Sequence, residues 1–137
     1  MPSDLPDPDN LFTSADVIYA YTRAMALSDG SLRDLTDEAK EAGIRYPVAI
    51  TALAYQEAIS MTDAAYRMGC DEGGRRWDVV WMLRNAMRQT QPGVDTLTFN
   101  VLVVCDRRAP DVVELKAVVG PGDKGEPVVT VMMPDED

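Results

Sequence analysis

From residue 96 onward the chain changes its rhythm. Apolar side chains recur at every second position in three runs, 96–104, 112–119 and 128–133. A period of two belongs to strands with one buried face. The short connections at 106–111 and 120–127 let the runs fold back as an antiparallel meander. Setting Val104 opposite Val112 and Val118 opposite Val128 gives inner rows of Met133, Val113 and Val103; of Val131, Leu115 and Val101; and of Val129, Ala117 and Phe99, with Val119 beside Leu97 at the end. Every member is apolar. The other face holds Glu114, Lys116, Asn100, Thr98 and Thr130, which suit water.

One apolar sheet face needs a cover, and the segment just before it supplies a helix over 75–89. Trp77 and Trp81 lie four residues apart there, with Val80, Leu83, Ala86 and Met87 nearby. This reading encloses the helix and puts Trp81 in the core between helix and sheet. Gly69, Gly73 and Gly74 read as a loop before it, and Gln91-Pro92-Gly93 closes it.

Residues 1–10, with prolines at 2, 6 and 8, read as a flexible acidic arm, and 11–137 as a single domain. A β-prone run at 17–21 precedes Thr22, which has the chemistry to cap a helix over 23–28 stopped by Gly30. Residues 32–35 are extended, Thr36 caps 37–42, and Val48-Ala49-Ile50 leads into a helix through Ile59. Thr62-Asp63 starts one more short helix. The class is α+β: an N-terminal short strand and several helices, then a central Trp-rich helix packed on a C-terminal three-stranded antiparallel meander.

Charge decides between partner classes. The formal net charge is −10, but Asp4, Asp7, Asp9 and Asp16 stand at one end, and Asp135, Glu136 and Asp137 at the other. Between residues 17 and 133, sixteen acids face all 13 lysines and arginines, a body of only −3. Direct nucleic-acid binding is disfavoured, because it needs a basic footprint that displaces counterions. With no run of 18 apolar residues and no signal-peptide pattern, no membrane contact is expected and the location is expected to be cytoplasmic.

The chain has no histidine, and Cys70 and Cys105 have no motif spacing. Histidine-activated nucleophiles and a zinc cluster are therefore excluded, and neither metal nor cofactor is expected. Carboxylate chemistry through Asp34 with Glu38, or Asp71 with Glu72, is the remaining catalytic option. Gly120-Pro121-Gly122-Asp123-Lys124-Gly125 has the letters of a dinucleotide fingerprint, but a strand follows it and Glu126 places an anion where phosphate would sit. It reads as a hairpin turn. Arg75, Arg76, Arg84 and Arg88 give the central helix a basic edge, read as stems that cover the indoles and pair with the protein's own acids.

Several stretches together resemble a known family. These are Tyr21-Thr22-Arg23-Ala24, Asp29-Gly30-Ser31-Leu32, Tyr46-Pro47-Val48-Ala49-Ile50-Thr51, Trp77-Asp78-Val79-Val80-Trp81-Met82 and the run from Gly120 to Pro127. They are similar to short bacterial "plasmid-related" proteins carried on plasmids and integrative elements. The resemblance implies a mobile-element setting, and it transfers no functional residue. By analogy it points to a non-enzymatic, protein-binding inhibitor of a host defence system, of anti-CRISPR or anti-restriction type. The partner would be a protein, such as a nucleic-acid-binding defence complex. A plasmid maintenance or transfer factor acting through protein contacts is the alternative, with a carboxylate enzyme behind it. The expected partner-binding residues are the acids Asp34, Asp37, Glu38 and Glu41 near one helix start and Asp135, Glu136 and Asp137 at the tail.

Overall fold

A computed structural model describes residues 21–67, 69–103 and 111–136. The expected arm at 1–10, most of the β-prone run at 17–21, Cys105 and Asp137 lie outside them. Helix α1 (Arg23–Asp29) starts where Thr22 accepts a hydrogen bond from the Met25 amide, and it stops at Gly30 with φ 88°. Asp123, a hundred residues away, accepts from the Arg23 and Ala24 amides at 2.8 and 3.0 Å. One hairpin loop thus satisfies two donors that the helix itself leaves free.

Strand β1 (Leu32–Asp34) leads into α2 (Thr36–Glu41). Thr36 is the first helical residue and not the cap; buried Leu35 holds that position and makes no side-chain cap bond. The side chain of Asp34 replaces it, accepting from the Thr36 amide at 3.1 Å. The Thr36 hydroxyl is thereby free to accept from the Val48 amide at 3.2 Å, fastening α2 to β2 (Val48–Thr51). Thr51 ends β2 and caps α3 (Ala52–Ala58) through the Ala54 amide, so strand becomes helix with no linker. Helix α4 (Asp63–Arg67) follows.

Helix α5 (Glu72–Gln89) begins three residues earlier than the apolar pattern suggests. Asp71 caps it, accepting from the Gly74 amide at 2.6 Å. Gly73 and Gly74 therefore form the first helical turn and not a loop. A cap contributes about 1 kcal/mol, which offsets much of what a helical glycine costs. Bare backbone also suits the cap, since a Cβ on Gly73 would sit 3.2 Å from the Asp71 carboxylate.

Strands β3 (Thr96–Val103), β4 (Asp111–Pro121) and β5 (Pro127–Met132) form the expected meander. The sheet continues beyond it. Its order is β1-β2-β5-β4-β3, with β2 running parallel to β5 and all other neighbours antiparallel. Both expected registers are off by two residues: Val113 lies opposite Val101, and Ala117 opposite Val131. A slip of two keeps every side chain on its face, so the inner set stays as expected. The second turn is a hairpin in which the Gly122 amide donates to the Glu126 carbonyl and Gly125 takes φ 81°. The Glu126 carboxylate folds over Gly122, where an added Cβ would meet it at 2.6 Å.

Val48, Ile50, Leu115, Ala117, Val129 and Val131 of the inner face are buried against Leu35, Ala39, Tyr55, Ile59, Val79, Val80 and Leu83 from the helices. The other face is solvated along β3 and β4 at Thr98, Asn100 and Glu114. At the opposite end, Ala49, Val128 and Met132 are buried. There α1 approaches, and the Arg23 guanidinium donates to the Thr130 hydroxyl and the Val129 carbonyl at 2.7 and 2.9 Å.

One expectation fails outright. Trp77 and Trp81 are 36% and 40% exposed, while Val79, Val80 and Leu83 on the same helix are fully enclosed. Leu83→Ala should therefore cost about 3 kcal/mol of unfolding free energy, through lost burial and a cavity. Trp81→Ala should cost less, about 1 to 2 kcal/mol, through the lost stacking on Trp77 and the lost Arg84 contact. Urea unfolding of both variants checks this order, and a Trp81→Ala loss equal to that of Leu83→Ala would refute it.

Candidate functional site

At 100° per residue, α5 carries two separate stripes. Val79, Val80 and Leu83, with Ala86 and Met87 partly covered, face the sheet. Trp77, Trp81, Arg84 and Arg88, at spacings of four, three and four, run along an outward side about 130° away around the helix. The two indoles stack, with ring centroids 5.7 Å apart and planes 21° from parallel. The Arg84 guanidinium lies over Trp81, 4.7 Å from the ring centroid. This cation–π contact covers one indole without removing the pair from solvent.

The stripe borders a groove of about 730 Å³ between the last turns of α5 and the segment joining α2 to β2. Arg45, Tyr46, Arg84, Met87 and Arg88 are among its lining residues. The segment reaches this place because Gly43, at φ 95°, turns the chain out of α2 and Ile44 is buried. Arg45 and Tyr46 are thereby left on the outside.

The first two arginines of the helix behave differently. Arg75 is buried and donates to the Ser60 carbonyl at 2.6 Å. Arg76 donates from Nε to Glu38 at 2.6 Å and from its second nitrogen to the Asp34 carbonyl at 2.7 Å. That hydrogen bond holds the Glu38 carboxyl below the usual glutamate range, against a smaller opposing effect of burial. Arg76 moves up in response. The expected basic edge is divided: half ties the helix down, and half faces the groove.

The acids expected to meet a partner are divided as well. Asp34 caps α2 and Glu38 holds Arg76, while Asp37 and Glu41 stand exposed. Glu136 is half-buried. Its Oε2 accepts from the Thr51 hydroxyl and the Met133 amide, both at 2.7 Å, and its carbonyl accepts from Lys116. Asp135 is exposed, and Asp137 lies outside the described residues. Of the paired carboxylates, Asp71 is a helix cap and Glu72 accepts from the Tyr55 hydroxyl. Burial first, and then Glu72, raises that phenol above its ordinary value.

Residues 8–137 match the model of a family of unknown function, DUF6573. The chain belongs to this family. No curated protein and no solved structure matches it. In this DUF6573 chain, the stripe and groove of α5 combine exposed aromatics with arginines. Sequence reading named the tryptophans and the arginines but placed them inside or paired. The signal was available, because Arg84 and Arg88 share the tryptophan stripe whereas Val79 and Leu83 do not.

The Arg76–Glu38 contact has a pH signature. A carboxyl depressed in the folded state stabilises above its unfolded range, and that contribution is lost as pH falls through the folded value. Glu38→Gln should therefore lose about 1 kcal/mol at pH 7. The difference from wild type should close in acid, where wild-type Glu38 is itself protonated. Urea unfolding at neutral and acid pH measures it, and a difference independent of pH would exclude the ion pair as its source.

Proposed function

We propose that this protein is a non-enzymatic docking protein that recognises a protein partner through the Trp77 and Trp81 surface of α5. The observation that carries this reading is the exposure of two stacked indoles, one of them under Arg84, on a helix whose last turns line a groove with exposed Tyr46. Indole surface left in water forfeits about 25 cal/mol for each Å² that burial would have gained. Trp, Tyr and Arg are also the residues that dominate binding energy at protein interfaces. The pair is held by the helix and by its own stacking, so little side-chain freedom would be lost on docking.

The resemblance to plasmid-related proteins supports a setting on a mobile element and a cytoplasmic location, and the docking surface acts there as an inhibitor of a host defence system. Transformation or plaque assays in hosts with an active CRISPR or restriction system test this. The wild-type chain should protect the incoming DNA. Trp77→Ala/Trp81→Ala should reduce that protection at least tenfold while its circular dichroism is unchanged. Protection that survives the double substitution would remove the tryptophans from the site. No protection by the wild type in several system types would end the defence reading, and a transfer defect in a defence-free host would move the docking role to plasmid maintenance or transfer.

A further inference from the structure

The lining of the groove beside the tryptophan stripe holds three arginines and no carboxylate. Arg45 and Arg88 are exposed, and among the described residues neither is in an ion pair or hydrogen-bonded to an acid. Arg84 donates to the Asn85 side chain at 3.3 Å and lies over the Trp81 ring. In a chain with 23 acids against 13 bases, such a concentration of uncompensated guanidinium is not what composition alone would produce. The remaining helix arginines show the contrast, since Arg75 and Arg76 are turned onto backbone carbonyls and Glu38.

We propose that this groove takes an acidic segment of the protein partner, a refinement that rests on the docking role assigned to α5. Charge complementarity selects carboxylates or phosphates. The number of arginines then selects between a protein and a nucleic acid. Nucleic-acid binders neutralise roughly six to ten phosphates, whereas three guanidinium groups on a chain of net charge −10 could not hold a polyanion against the chain's own field. A segment with a few carboxylates meets far less of that repulsion. Arg84 and Arg88 are one turn apart, about 6 Å along the helix. Carboxylates on alternate residues of an extended segment repeat at about 6.6 Å, close enough for one to meet each arginine. Guanidinium is also the group best suited to take a carboxylate through two parallel hydrogen bonds. Met87 and Tyr46 supply apolar surface for the residues between them.

The chain has two tryptophans, and Trp81 lies against Arg84 of the groove lining, so its intrinsic fluorescence reports the site with no added label. The probe is acetyl-(Glu-Ala)4-amide, titrated against the full chain. The expected result is a saturable change that weakens with rising salt and is missing with acetyl-(Gln-Ala)4-amide. Arg45→Gln/Arg88→Gln should weaken binding at least tenfold with unchanged circular dichroism. Arg45→Lys/Arg88→Lys, which restores the charge, should recover much of it. Three results would overturn the proposal: no saturable response at millimolar peptide, equal binding by the glutamine double variant, or octathymidine binding tenfold more tightly than the peptide. None of these substitutions touches Trp77 or Trp81. A failure here with protection still dependent on the tryptophans would leave the docking role standing without an acidic ligand.

Discussion

The contact between one side of α5 and the inner face of the sheet decides almost everything else in this molecule. Val79, Val80 and Leu83 are fully enclosed against the strands, and fixing them fixes the rotation of an 18-residue helix. With that rotation set, Arg75 and Arg76 reach back to Ser60, Glu38 and Asp34. The two indoles have nowhere to go but outward, and Arg84 and Arg88 follow them. The surface is thus a by-product of the core. Its aromatic and cationic groups are held on a regular element packed along much of its length, which gives a preorganised patch and not a mobile one.

Much of the architecture was legible because period and punctuation agree. Thr22, Gly30 and the alternation in β3, β4 and β5 each point to one local structure, and each was found. β2 was harder. Val48-Ala49-Ile50 is too short to show alternation, and both of its faces are buried, so it reads as a lead-in to the next helix. Its strand character comes from Val129, Thr130 and Val131, about eighty residues later. No local pattern carries that information. The register failed for a related reason: shifting a hairpin by two residues leaves every apolar side chain inside, so patterning alone cannot detect it.

The site was misplaced by weighing size over angle. Trp77 and Trp81 are the largest apolar groups in the chain, and large apolar groups are usually inside. The helical geometry argued otherwise, since the two tryptophans lie well over 100° around the helix from the stripe centred near Leu83. The acidic residues show the reverse error. Asp34, Glu38 and Glu136 read as free surface charge, yet each closes a gap in the fold: a cap, an ion pair and a fastening of the tail. Hydrogen bonds between residues distant in sequence leave no mark on a charge pattern. The wider assignment of chemistry was therefore less legible than the fold.

One feature of the sheet bears on how the chain can be made. Strand β5 is the last of the strands, yet it lies in the middle of the order, with β2 on one side and β4 on the other. Until Pro127–Met132 has emerged from the ribosome, β1 and β2 have no sheet to join, and the apolar faces of α2, α3 and α5 have only part of their cover. The first two thirds of the domain must wait, unsatisfied, for its final strand. Synthesis should accordingly pass through a long interval with exposed apolar surface and close in one late step. Premature termination just before residue 127 would remove the centre of the domain rather than trim its margin, leaving two fragments of sheet with open edges.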